Sequence, residues 1–577
     1  MSGACARPSK CRLPAERALT DMVSRERLAT APRPRRSPRP NAWRALLVAA
    51  FLAGVALRLW QLDIQIVIDD EWHAIHKLLR ASPLDIVTHL GYADYSIPLT
   101  LYYQQLQRTI GLSEWGMHVP SLVGGIALLL IGPRLLARTF ALPVRATWAM
   151  LVAISPLLVY HSKIARPYAL TSVLTFVAVL EFRAWWQQGR RRDALAYVAT
   201  TVAAGWLHTI TLPFTLLPIV FYAAQVLRPF DGRRLVAVAR VAIVTAAALA
   251  FVLAPPLIND WAQFSAKAGR DAVSLESLYR TLLMLAGTGA APAGMFVFAL
   301  AALGGWRVLR RDRDLAAYLA TVCGGGAIAV ASTGAEWIAH PLVLARYMLP
   351  VVPFLLLFAA EGIVALVATS RDGLGAASSA AIAVVLLLTG PIPGEWHYPN
   401  QFWGHLRYQF DYDAAHNPYV TQVPNEPVPT FYVELGKRPP GTLTLIEAPW
   451  RFESHFNALS LYQDAHRQRV MIGLVTPLCG TFDVGEYPES QPGMRMRWLI
   501  HLSSVLRGET RGADYLVIHT TSRDVAADPP PPWPDLSGCM SSIEARLGPP
   551  VFRDDRIIVF ALSKVSPLGN NRRSVQQ

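Results

Sequence analysis

The sequence predicts a polytopic α-helical membrane protein of about eleven transmembrane helices, followed by a C-terminal extracytoplasmic α/β domain. Three observations predict it. Of 577 residues, 53% are hydrophobic and only 16% charged, against roughly a quarter charged in a soluble domain. Apolar runs of membrane-crossing length recur between residues 42 and 392, and arginines cluster in every second connection between them. A single soluble globular domain, a disordered chain and a fibrous chain are thereby excluded. The five cysteines are too few for a disulfide scaffold or a zinc array.

Residues 1–41, rich in Arg, Pro and Ser from Arg7 through Arg39, read as a disordered basic arm in the cytoplasm. The apolar run after Trp43 is too long for a cleaved signal peptide. The expected spans are 42–62, 116–137, 144–161, 167–186, 194–208, 210–227, 235–255, 289–309, 315–334, 342–367 and 376–392. Orientation follows from the arginines. Arg134, Arg138 and Arg145 share one connection, and Arg183 and Arg190–Arg192 share another. Arg228, Arg233 and Arg234, then Arg307, Arg310, Arg311 and Arg313, then Arg371 continue the alternation. These connections lie inside with the basic arm, so the odd count puts the C-terminus outside. The formal net charge of +14 is thus a topology signal, and no nucleic acid partner is expected.

The membrane module covers 42–392, and its first outward loop, 63–115, is long. It holds two expected helices, Glu71–Ala81 and Leu99–Ile110, the second presenting Tyr102, Tyr103 and Leu106 to the membrane interface. The outward loop 256–288 is also long and mixed in charge. Residues 393–577 form the outward α/β domain. Its expected strands are Thr442–Ala448, Val470–Val475, Tyr515–His519 and Ile557–Leu562, alternating with helical Asn457–Gln468 and Ser541–Leu547. Asp528–Pro534 reads as a proline-rich linker. Cys479 and Cys539 fit either a disulfide on this oxidising side or two separate buried thiols.

Ionisable groups near the outer membrane face point to chemistry because they are costly there. Asp69, Asp70 and Glu71 follow the first span as three adjacent carboxylates between apolar residues, which repel unless a cation, metal or proton relieves them. The plainer reading is that Asp69 or Asp70 caps the next helix. Asp94 adds a carboxylate before the Pro98 helix start, which helix-start chemistry alone explains. In the outward turn after the third span, His161-Ser162-Lys163-Ile164-Ala165-Arg166-Pro167-Tyr168, Lys163 and Arg166 break the positive-inside pattern. They suit a bound anion, the alternative being snorkelling to headgroups. Arg346 and Tyr347 open the tenth span with the same two readings, and His208 either lines the site or is a structural polar residue.

The order of these segments resembles the GT-C superfamily of polyprenyl-phosphate-sugar-dependent glycosyltransferases. It runs from Asp-Asp-Glu in a long first loop through Tyr-Ser-Ile-Pro-Leu-x-Leu-Tyr-Tyr and Ala-Arg-Pro-Tyr-Ala-Leu to Ala-Arg-Tyr-Met-Leu-Pro in a late span. Within the superfamily it is similar to bacterial relatives of protein O-mannosyltransferases and of the lipid A aminoarabinose transferase, over roughly residues 42–392. Where those relatives often have His-Pro-Pro-Leu, this chain has Ser96-Ile97-Pro98-Leu99, so any contact made by that His is lost.

The resemblance implies a sugar delivered on a polyprenyl phosphate to a glycan, lipid or protein hydroxyl, at the outer face of a bacterial inner membrane. It implies Asp70 as base, with Glu71 or Asp69 orienting it, binding acceptor or holding a divalent ion. Arg166, and with it Lys163, Arg346 and Tyr168, would hold the leaving phosphate, while Asp94, His208 and Tyr347 would contact the acceptor or line the cavity. Asp70 and Glu71 are hard oxygen ligands, but no dense His-carboxylate spacing marks a metal site. The competing readings are a flippase for lipid-linked sugars, which would show internal repeats and mid-bilayer charges, and a non-catalytic envelope assembly subunit.

Overall fold

Helices occupy all eleven expected positions in the computed structural model. It describes residues 41–67, 71–90, 96–227, 230–367, 372–395, 428–449, 459–475, 477–479, 492–520 and 536–562. Among the described residues eight helices are long and apolar enough to cross a membrane, and Leu142–Ile154 and Gly373–Thr389 are shorter apolar helices. The chain is a multi-pass membrane protein with a C-terminal α/β sheet region.

The count differs from eleven for local reasons. The third span is broken at Ser155-Pro156 into Leu142–Ile154 and Pro156–His161, because Pro156 has no N–H to continue the ladder. Arg191–Leu207, expected to span, has 17 residues and spends its first turn on Arg191, Arg192 and Asp193. Arg346 and Tyr347 do not open a long span. They end a separate short helix, Pro341–Tyr347, ahead of Val352–Val367.

At one end of the bundle the arginine clusters meet carboxylates. Arg138 pairs with Glu181 at 2.9 Å, Arg183 with Asp312 at 2.7 Å and with Asp314, and Arg311 with Glu361 at 3.4 Å. Deeper in, Ala291–Arg311 and Val352–Val367 touch backbone to backbone. A Cβ on Gly304 would lie 1.8 Å from the Phe358 carbonyl oxygen, and one on Gly362 2.0 Å from that of Leu300. Small residues permit such approach where lipid supplies no hydrophobic drive.

The C-terminal sheet has strands β1 (Thr444–Ala448), β2 (Arg469–Leu474), β3 (Leu499–His501), β4 (Tyr515–His519), β5 (Phe552–Arg553) and β6 (Ile557–Ala561). Their order is β3-β2-β1-β4-β6-β5. The first four are parallel, and β6 runs antiparallel to both β4 and β5. The four expected strands are present, each shifted by two residues at most. β3 and β5, three and two residues long, were too short to show a period. Helices Leu459–His466 and Ser537–Leu547 cover the sheet, and Cys479 and Cys539 form a disulfide. Tyr432 donates to Glu447 at 2.9 Å, and His519 lies 2.7 Å from the same carboxylate. Burial, with Glu447 beside it, pushes the Tyr432 hydroxyl well above its usual range, so it stays a donor.

A pH test follows from His466. It is fully buried, its Nδ1 accepts the Gln468 N–H at 2.9 Å, and burial pushes its imidazole down to about 3. An unfolded His titrates near 6.5, so on acidification the unfolded chain takes a proton that the folded chain refuses. The stabilisation is full above neutrality and lost as pH falls below about 6.5. Thermal unfolding should show about 2 kcal/mol lost from this group between pH 7 and pH 5. His466→Gln should flatten that slope; an unchanged slope would place its origin elsewhere.

The sheet domain is not a free appendage. The Leu112 N–H donates to the Gly493 carbonyl, and Arg495 N–H to that of Leu112, both at 2.7 Å. The buried Glu114 carboxylate accepts the N–H groups of Arg497 at 3.0 Å and Trp498 at 2.7 Å. Trp72, Ile75 and Tyr103 of the first loop share one core with Met494, Met496 and Trp498. This corrects the interfacial reading of the second loop helix. It runs Ile97–Arg108, and Tyr103 is completely buried in the core shared with the C-terminal domain rather than facing lipid.

Candidate active site

The site is built on the turn from Ser162 to Arg166, which is gripped almost atom by atom. Pro156 lacks the N–H that would have met the Val152 carbonyl four residues back. Arg58, near the end of the first span, fills that gap. Its Nη2 donates to Val152 and its Nη1 to Ala153, both at 3.3 Å, and its Nε to the Ser162 hydroxyl at 3.2 Å. Gln65 donates to the Lys163 carbonyl and lies 3.3 Å from His118 Nε2, which is 2.9 Å from Glu71. The same Glu71 oxygen accepts the Ala165 N–H. Tyr103 donates to the Ala165 carbonyl at 3.2 Å, and Ser121 to the Arg166 carbonyl at 2.8 Å. Burial, with Glu71 close by, pushes the Tyr103 hydroxyl well up, keeping it a neutral donor.

Beyond the turn, three separated segments converge on one ring. Tyr168 begins the helix Tyr168–Gln188. The Arg166 guanidinium lies 5.8 Å and that of Arg346 5.5 Å from the centre of its ring. His161 at 5.1 Å and His208 at 5.4 Å pack against the same ring, and His208 meets Tyr347 at 5.7 Å. Arg346 also lies 5.5 Å from the Tyr347 ring. The Tyr168 hydroxyl is buried with no hydrogen-bond partner among the described residues. Two guanidinium groups, two imidazoles and an unspent phenol, with His161, Arg166 and Tyr168 buried and Arg346 and His208 half-buried, form an arrangement suited to an anion.

Of the residues singled out from sequence, Arg166, Tyr168, Arg346, His208 and Tyr347 therefore meet. Lys163 belongs to the same turn as Arg166, and its ammonium reaches back to the Trp60 carbonyl at 2.7 Å. Glu71 is fully buried and ties the acidic loop to the turn, making no side-chain bond to its own helix start. Asp69, Asp70 and Asp94 lie outside the described residues. Among the described residues no three His, Cys, Asp or Glu side chains gather as a metal-sized group.

The sequence reading gives no site role to Arg58, Gln65, His118 or Ser121, places Tyr103 at the membrane interface and names His161 only as the start of the basic turn. Arg58 had a signal, a lone arginine inside an apolar run. The others look like ordinary polar residues until the chain folds.

No family model matches the chain, and no curated protein does. Among solved structures it is similar to ArnT from Cupriavidus metallidurans in the apo state, at 14% identity and a TM-score of 0.46, over 92% of this chain and 99% of that one. The same protein bound to undecaprenyl phosphate aligns at 13% identity and 0.44, over 91% and 99%. Archaeal oligosaccharyltransferase AglB from Archaeoglobus fulgidus, in complex with an inhibitory peptide and a dolichol-phosphate, aligns at 13% and 0.41, over 83% and 69%.

Proposed function

We propose that this protein is a membrane glycosyltransferase that moves a sugar from a polyprenyl-phosphate donor to a hydroxyl acceptor. One observation supports it above the rest. Arg166 and Arg346, from opposite halves of the membrane module, converge on Tyr168, while Glu71 fastens the acidic first loop to the turn that bears Arg166. A phosphate clamp and an acid-bearing loop thus share one support.

In this reading Asp70 takes the proton of the acceptor hydroxyl as its oxygen attacks the anomeric carbon. The carbon–oxygen bond to phosphate breaks, its electron pair leaves with the phosphate, and the anomeric carbon inverts. Phosphate is already a stable anion at neutral pH and needs cations near it rather than a proton. A glycosidase, expelling a poor alkoxide, needs a second carboxyl group as acid. Arg166 and Arg346 meet the charge growing on the leaving group, and the Tyr168 hydroxyl donates to it. In the same reading the reaction runs at the outer face of a bacterial inner membrane, with the N-terminus cytoplasmic and the sheet domain periplasmic, which the alternation of the arginine-rich connections supports.

Steady-state transfer by the full chain in proteoliposomes tests the clamp. Arg166→Ala should raise the KM for the lipid donor about tenfold to a hundredfold, the worth of a charge-assisted hydrogen bond. The acceptor KM should stay within about twofold. A defect confined to the acceptor would remove Arg166 from the donor site, and no transfer by the wild type would remove the enzyme reading.

A further inference from the structure

Among the described residues of the membrane module, Arg58 is the largest charged side chain buried without trace of exposure. It belongs to the span Asn41–Ile64. Its bonds run to neutral acceptors: the Gly54 carbonyl at 2.9 Å, those of Val152 and Ala153 at 3.3 Å, and the Ser162 hydroxyl at 3.2 Å. Among the described residues no carboxylate lies within ion-pair distance of it. The bundle makes room for the group. A Cβ on Gly125 would stand 2.9 Å from Arg58 Nε and 2.0 Å from the Ser162 hydroxyl.

A guanidinium stays charged at neutral pH, and inside a membrane protein a charge is retained only against a cost. A neutral donor such as Gln could bond one of the stranded carbonyls, so hydrogen bonding alone does not explain a full charge here. Carbonyl and hydroxyl dipoles solvate the ion without cancelling it. In a low-dielectric interior its field reaches further than in water. The side chain it holds, Ser162, belongs to the turn that ends in Arg166.

We propose that Arg58 is a positioning residue that also supplies standing positive charge behind the Ser162–Arg166 turn. It would favour the phosphate head of the lipid without touching it. This rests on the lipid-phosphate reading above.

The test is binding of polyprenyl phosphate, carrying no sugar, compared with the uncharged polyprenol of the same length, to the purified full chain. The variants are Arg58→Gln and Arg58→Lys, with thermal unfolding followed in parallel. Wild type should prefer the phosphate. Arg58→Gln should lose roughly tenfold or more of its affinity for the phosphate with polyprenol binding unchanged, and Arg58→Lys should stay within about threefold of wild type.

A purely structural pin would instead weaken both lipids together, with Lys failing to rescue, and that result overturns the proposal. So does Arg58→Gln binding the phosphate as wild type does. If Arg58→Gln cannot be obtained folded, Arg58→Lys decides alone, a loss of tenfold or more overturning the proposal. A wild type that fails to prefer phosphate over alcohol overturns the lipid-phosphate reading itself, and this inference with it.

Discussion

Asp70→Asn is expected to abolish sugar transfer while leaving the protein folded. The exchange separates the two readings of that carboxylate. Asn caps a helix about as well as Asp does, so a residue that only ends the first outward helix would tolerate it with little change. An amide cannot take a proton from an attacking hydroxyl, and losing a general base typically costs about a hundredfold to ten-thousandfold in turnover. Single-turnover transfer with a synthetic polyprenyl-phosphate sugar measures the loss, and thermal unfolding of the same preparation checks the fold. Transfer at wild-type rate would return Asp70 to capping. Equal loss of folded protein and activity would make Asp70 a structural residue and remove it as the base.

The second large effect is expected at Gly304. Adding one methyl group in Gly304→Ala places a carbon where the Phe358 carbonyl oxygen already is, 1.8 Å away, and the helix Ala291–Arg311 must move off Val352–Val367. Overpacking of this kind costs about 1–3 kcal/mol when side chains can yield. Here the obstacle is backbone, so a loss of about 3 kcal/mol or more is expected. The neighbouring exchange Gly305→Ala is the control, its new carbon meeting only Phe358 Cδ1 at 4.0 Å. It should be neutral or slightly stabilising, since Ala is favoured over Gly in a helix by about 1 kcal/mol. Unfolding temperature in detergent and the yield of monodisperse protein measure both. Equal behaviour of the two variants would show that the helices can separate without penalty.

Much of the architecture was legible because it rests on local properties. Each expected span coincides with a helix, since a run of apolar residues has few alternatives in lipid. The strands around Ile446, Ile472, Val517 and Val559 were visible as short β-rich runs. The sequence was less informative where a second segment decides the outcome. Tyr103 reads as a membrane-interface residue and is buried in the core that the first loop shares with Met494, Met496 and Trp498. Arg346 looked like the mouth of a long span and ends a helix of seven residues. Glu71 reads in the sequence as one of three adjacent carboxylates, and folding carries it to the Ala165 N–H. No spacing rule links residues 94 positions apart.

By itself, then, the amino-acid order determined that this chain crosses a membrane many times, which connections gather arginine, and that a sheet domain follows. Hydropathy and charge act residue by residue and sum over a short window, so they can be read without knowing any contact. Tertiary structure alone decided that Arg166 and Arg346 share one tyrosine ring, that Arg58 completes the helix end left open by Pro156, and that the sheet domain covers the first loop. Those outcomes depend on pairwise packing between distant segments, where one glycine more or less sets how closely two helices approach.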